Sequence, residues 1–341
     1  MHIADAILSP AVCVGTGVVS AGVLAWSLRD LEHRAPSRTV PLTGMLAALV
    51  FAGQMVNFPL LGLPVSGHLL GGMLAAAMVG PAAAIVAIAA VLAIQMLMFG
   101  DGGWLAYGAN VLNMGVIGGA GGYAVSNLVR SRIRGDAGLI IGPVVGAWAG
   151  VMAASFAFCV EFALSHPAGS FPLPRVFALM ALFHSMIGLG EALITGLVVA
   201  FVVRVARRPD LLHRPEFGGA AAGAGRWFWG GVVAAFVVAA FAAPFASSYA
   251  DGLEAVAERA GFAELASEPR TLWLTDYSWP LTTGGQAPAM WEGLAVSFAG
   301  LAGTAVVVII ACVCNRLFVP VPVRAESGGD PNGIGGGEHV A

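Results

Sequence analysis

The sequence predicts an all-α, polytopic membrane protein of nine transmembrane helices, and three observations carry that prediction. Of its 341 residues 58% are hydrophobic and only 10% charged, far from the balance of a soluble domain. Mean hydropathy is +0.85, and apolar runs of about 20 residues, enough to cross a bilayer as helix, recur along the chain. The basic residues, all arginine, fall in clusters between those runs.

Taken in order, the spans are expected at 9–29, 41–61, 67–80, 82–99, 108–129, 138–163, 175–204, 228–248 and 292–316. The run from Leu69 to Phe99 is too long for one tilted span, and Gly80-Pro81 divides it into a short re-entrant or spanning pair. The first apolar run has no positive charge before it, while Arg29, Arg34 and Arg38 follow it. This is not the pattern of a cleaved signal peptide, so the first helix is expected to stay with its start outside. With that orientation 13 of the 16 arginines lie in inner loops, leaving Arg175, Arg259 and Arg270 outside. Reading 69–99 as one span would destroy the bias.

Residues 1–208 form a seven-helix module, 209–226 a cytoplasmic linker, 227–320 a two-helix module, and 321–341 a disordered tail. Between the last two helices lies an acidic outer segment, 249–290, with Asp251, Glu254, Glu258, Glu264, Glu268 and Asp276. Dense Gly and Ala within the spans permit close helix approach. The four cysteines sit in apolar runs and read as small buried thiols.

The chemistry starts at the amino terminus. In Met1-His2 the terminal amine, the His2 backbone nitrogen and the imidazole Nδ1 can close on one metal ion as two fused chelate rings. Three nitrogens in a plane suit Ni(II) and Cu(II), and tolerate Co(II); the opposing reading is a chance histidine in a frayed terminus. His68 opens the third span at its outer end, where it can supply the fourth nitrogen or simply cap the helix. Asp5 is placed to accept a hydrogen bond from an imidazole N–H. Asp101, between glycines in an outer loop, serves a turn or the same site. Asn110 and Asn113, three apart on one helix face, bond a neighbouring helix or brace the metal loop. Glu161 and His166 on the outer side can gather cations. His184 and Glu191 lie two turns apart on one face of the seventh span. Ionisable groups there are costly, and the choice is between a relay, a metal path and a pin between helices.

Five blocks, Met1–Pro10, Ser66–Gly72, Phe99–Gly103, Gly108–Gly115 and His184–Glu191, together resemble the CbiM/NikM family. These are the substrate-binding membrane components of energy-coupling-factor importers for cobalt and nickel. Ala250-Asp251-Gly252-Leu253-Glu254 is similar to the PDGLE signature of fused NikN/CbiN-type segments, with alanine for proline. Ala4 and Ala6 depart from the opening motif, where Pro and Gly or a bulkier residue are commoner. The resemblance implies that Met1, His2 and His68 ligate Ni(II) or Co(II) as transported substrate. It also implies partners: a transmembrane coupling subunit and two cytoplasmic ATPases, in a bacterial cytoplasmic membrane. With no lysine the chain cannot carry a Walker loop, so ATP hydrolysis is expected elsewhere. No organic cofactor and no nucleic acid are expected. The alternatives are a proton-coupled secondary metal transporter using His184 and Glu191, and an intramembrane metallohydrolase, which the closed nitrogen set disfavours.

Overall fold

The computed structural model describes residues 1–34, 39–206, 222–267 and 289–318. The inner part of the expected linker, the second half of the acidic segment and the tail lie outside them. The architecture is all-α. Helices run α1 Pro10–Arg34, α2 Thr39–Gln54, α3 Gly72–Val79, α4 Pro81–Ile94, α5 Tyr107–Asn110, α6 Gly122–Arg132, α7 Gly135–Ser165, α8 Leu173–Ala206, α9 Ala222–Val237, α10 Gly252–Ala260 and α11 Ala289–Phe318. The only strands among the described residues are the pair Phe58–Pro59 (β1) and Ser66–Gly67 (β2), antiparallel.

Among the described residues six helical stretches are long and apolar enough to cross a membrane: Pro10–Arg34, Pro81–Phe99, Gly135–Ser165, Leu173–Arg204, Phe228–Phe245 and Gly293–Val313. Large apolar side chains on their outer faces stay exposed, as on Val14, Phe156, Leu189 and Ile309, which is what a lipid-facing surface requires. α5 and α6 are joined by a wide π-type stretch, Val111–Gly121, into one rod. The α7 row Gly142, Gly146 and Gly150 meets that rod at Gly118, Gly122 and Ser126. A Cβ on Gly146 or Gly150 would strike the Gly122 or Gly118 carbonyl. Small residues at four-residue spacing bring helices together where apolar burial gives no drive.

The expected third span takes a different form. α3 has eight residues and rises only about 12 Å; the chain before it, through His68, Leu69 and Leu70, is non-helical and buried. Non-helical backbone inside a membrane protein needs partners for its amides. Glu191 of α8 supplies them, accepting from Leu70 N at 2.7 Å and Gly71 N at 2.9 Å, while the Leu70 carbonyl accepts from Gln54 Nε2 at 2.8 Å.

One end of the bundle gathers the amino terminus, the 55–71 loop, the 100–106 loop and α10. A single apolar cluster runs from Met1, Ile3 and Ile7 through Phe158 and Phe183 to Leu253, Val256 and Phe262. Residues 253–262 are thus packed into the same core as residue 1.

Candidate metal centre

The amino-terminal segment is held along its length. Asn110 makes a paired contact with Ile3, accepting from its N–H at 2.8 Å and donating to its carbonyl at 3.1 Å. Gly103 N also donates to the Ile3 carbonyl, at 2.8 Å, and His166 Nε2 lies 2.9 Å from the Ile7 carbonyl. His166 is therefore a tether, and Glu161 accepts from Asn113 Nδ2 at 2.8 Å; neither is held out to gather cations. Asp5 also departs from expectation. Its carboxylate accepts from the amides of Trp104, Leu105 and Ala106 at 2.8–3.2 Å, because those amides open a helical turn and demand an acceptor. The carboxylate that meets an imidazole is that of Asp101, 3.0 Å from His2 Nδ1.

These tethers place the terminal amine deep in the protein, 2.5 Å from His68 Nε2. The His68 ring is fixed from behind by Nδ1, 3.0 Å from the Leu69 carbonyl. The ring of His2 stacks on that of His68, centroids 5.0 Å apart and planes 22° apart. The structure thus brings Met1, His2 and His68 together, with the His2 ring turned toward Asp101 rather than edge-on to the amine.

Two buried amides that the sequence did not single out set the chemistry of His2. Leu70 O can only accept, so Gln54 presents its NH2 to it; Gln54 Oε1 then accepts from Gln95 Nε2 at 2.9 Å. That leaves Gln95 Oε1 facing His2 Nε2 at 3.1 Å. This polarity requires a proton on Nε2 and leaves Nδ1 as the lone-pair nitrogen of the neutral ring. Burial lowers the His2 imidazole to about 4, with Asp101 pulling the other way, so the ring is neutral at pH 7. A lone pair and a carboxylate then face each other, an arrangement relieved by a cation.

A further residue comes from the second module. Asp251 Oδ2 lies 2.8 Å from the Met1 amine and 3.6 Å from His68 Nε2. Burial alone would raise its carboxyl, but the terminal amine and His68 hold it well below the usual carboxylate range. Glu254, one helical turn on, is raised by the Asp251 charge and by burial. Among the described residues no group of three or more His, Cys, Asp or Glu side chains is placed to hold an ion. The candidate site depends on the terminal amine and backbone nitrogen beside two imidazoles.

His184 and Glu191 are not joined. Glu191 is occupied by the backbone before α3, so it acts as a pin. His184 Nδ1 lies 3.1 Å from the Met180 carbonyl of its own helix, and Nε2 has no hydrogen-bond partner among the described residues.

The family model described as CbiM, cobalt uptake substrate-specific transmembrane region, matches residues 2–211, and that of the PDGLE domain matches residues 225–319. The chain is 36% identical over 224 residues to the fused nickel transport protein NikMN of Rhodobacter capsulatus, covering 62% of this chain and 64% of that protein, just under two thirds of its length. It is 31% identical over 225 residues to the cobalt transport protein CbiM of Sorangium cellulosum, covering 63% of this chain and 95% of that protein. A crystal structure of a transition metal transporter superposes with a TM-score of 0.56 at 30% identity, over 64% of this chain and 100% of that one. A truncated transition metal transporter gives 0.54 at 31% identity, over 60% and 99%. Sequence motifs, fold and family matches agree: the chain belongs to the CbiM family, with a PDGLE domain joined to its carboxyl side.

Proposed function

We propose that this chain is the substrate-specificity subunit of an ATP-driven, energy-coupling-factor importer that takes up Ni(II) or Co(II) across a bacterial cytoplasmic membrane. The ion is held by the Met1 amine, the backbone nitrogen and Nδ1 of His2, and Nε2 of His68. The observation that carries this reading is the burial of a terminal amine 2.5 Å from His68 Nε2. As an ammonium the terminus donates to Asp251 and to His68 Nε2; once it has lost a proton, the same closeness suits a shared ion, since two nitrogens bound side by side to one ion at about 2.0 Å stand about 2.8 Å apart. The lone pair that the Gln54–Gln95 chain leaves on His2 Nδ1 is the one a chelate with the amine uses. Closing the square requires that ring to turn from Asp101 toward the amine, with loss of a proton from the amine and from the His2 amide.

In this proposal ATP hydrolysis lies on two separate cytoplasmic subunits, reached through a transmembrane coupling subunit; the sequence has no lysine with which to form a Walker loop of its own. The secondary-transport alternative loses its support, because Glu191 is committed to Leu70 and Gly71 and does not face His184. The test compares the native amino terminus with a chain extended by one residue before Met1, titrated with nickel by calorimetry and visible absorption. Tight binding with a planar-nickel band in the native chain alone is expected. Equal binding by both chains would remove the amine from the site and the reading with it.

A further inference from the structure

The Met1 amine, His68 Nε2 and Asp251 Oδ2 stand 2.5, 2.8 and 3.6 Å from one another. An ion bound at about 2.0–2.1 Å holds neighbouring donors about 2.9 Å apart and opposite donors about 4 Å apart. All three separations fall at or inside that limit, so one ion can touch all three atoms. Meanwhile the His2 ring is held aside by Asp101 and Gln95. The donors that converge here are two nitrogens and one oxygen, not four nitrogens.

Asp251 is built into this position. The Ala250 carbonyl accepts from Ser66 N at 2.9 Å and the Tyr249 carbonyl from Ser66 Oγ at 2.7 Å. The strand that leads to His68 therefore also seats Asp251. The two carboxylate oxygens divide their work. Oδ1 caps α10 by accepting from Leu253 N and Glu254 N, both at 2.8 Å, and Oδ2 alone points into the site. Gly252 allows the approach: a Cβ there would lie 2.7 Å from Ile187 Cδ1 and 3.2 Å from His184 Cε1 of α8. Of the three donor groups Asp251 is the outermost, its side chain 13% exposed against 2% for Met1 and 6% for His68. It lines a cavity of about 970 Å3 that also exposes Asp101, Glu254 and Glu258.

We propose that Asp251 is a transfer ligand. Its Oδ2 binds the incoming divalent ion together with His68 and the Met1 amine, which releases a proton to water as it ligates, and gives the ion up when the His2 ring swings in and the His2 amide loses its proton to complete the nitrogen square. An oxygen ligand exchanges readily and suits capture of a hydrated ion, while the nitrogen set suits retention. The carboxyl-terminal module thereby contributes an atom to the loading path, not only packing. This inference rests on the nitrogen site proposed above.

The test is stopped-flow mixing of the purified full chain with nickel chloride, followed by equilibrium titration. Asp251→Asn keeps the cap, since asparagine is as good an N-cap as aspartate, but turns an amide toward the amine. Association is expected to slow by about tenfold or more, with the planar-nickel band at saturation retained. Glu254→Gln, which disturbs the capping box without touching the donors, is expected to stay within about twofold of the parent rate. Gly252→Leu, which lifts α10 off α8, is expected to slow association as Asp251→Asn does. Parent-like association in Asp251→Asn overturns the proposal, as does equal slowing in Glu254→Gln. Weakened equilibrium binding at an unchanged association rate would make Asp251 a resident ligand and overturn the transfer role. Planar-nickel binding that survives extension of Met1 sinks the nitrogen site itself, a failure distinct from these.

Discussion

His2 brings two ring nitrogens into a pocket that treats them differently. Gln95 takes the proton-bearing Nε2, and Asp101 faces Nδ1. Because burial lowers the ring from 6.5 to about 4, docking of the amino terminus is linked to pH. Between those values the undocked terminus binds more protons than the docked one, so docking is complete above about pH 6.5 and weakens as the pH falls toward 4. The full difference is about 3 kcal/mol, and most of it is lost by pH 5. Hydrogen-exchange protection of the Ile3 and Gly103 amides, whose bonds report docking, is expected to drop by about tenfold or more between pH 7 and pH 5. Constant protection over that range would show that docking leaves the proton affinity of the ring unchanged, and protection that rises on acidification would show that Asp101 holds the docked ring protonated. Asp251 belongs to a separate window: its lowered carboxyl contributes above pH 3.8 and fails only when the pH falls below its own value. Met1, His2 and His68 were legible because each residue type carries its own ligand chemistry. Gln54 and Gln95 were not, since an amide inside an apolar run has no motif, and its partner is a carbonyl fixed only by the fold. Ala6 adopts a φ of 69°, the left-handed region that glycine enters without cost. The departure seen at that position in the sequence is therefore a strained one.

α3 with its non-helical lead-in is the element on which the candidate site depends. The chain from His68 to Gly71 descends among helices without a helix of its own, and it can do so because Glu191 accepts two of its amides. Glu191→Gln keeps the shape but points an NH2 at one of those amides, leaving a buried donor unpaired at a cost of about 1–3 kcal/mol. The expected result is a lower melting temperature in detergent and nickel affinity reduced by about 10–100-fold, through a displaced His68 loop. A proton-relay role would instead leave binding intact and stop uptake alone, so nickel calorimetry on this variant separates the two. The sequence showed where helices run and where Gly80-Pro81 breaks them, because apolar length and breaker residues are local signals. It could not show that residues 68–71 are non-helical. That conformation is stabilised by a carboxylate 121 residues away along the chain, and apolar composition alone reads as helix.

At the scale of the whole molecule the PDGLE-like segment closes on the amino terminus. Asp251 reaches Met1 across 250 residues of sequence, and Ser247 N and Ser267 N donate to the carbonyls of Asn57 and Asp5. The PDGLE-like motif was visible in the sequence, but its position was not, since nothing local to residue 251 refers to residue 1. Within the membrane the two modules meet along α2. Ala47, Ala48, Phe51 and Ala52 share one buried cluster with Ala235, Ala239, Ala299 and Val307. Lipid offers no hydrophobic penalty for separating such faces, so close packing and the hydrogen bonds at the site end must hold the modules together. The peptide link is then dispensable: residues 1–208 and 227–341 produced as two chains in one cell are expected to co-purify and bind nickel like the parent. Gly303 is the sharpest point of the contact, where a Cβ would strike the Phe51 ring and lie 3.0 Å from Phe99 Cζ. Gly303→Leu overpacks that contact by about 1–3 kcal/mol and is expected to reduce recovery of the paired chains by about tenfold. Halves that fail to pair while residues 1–208 still load nickel at the parent rate would show that packing along α2 is incidental, and that the first module needs nothing from the second.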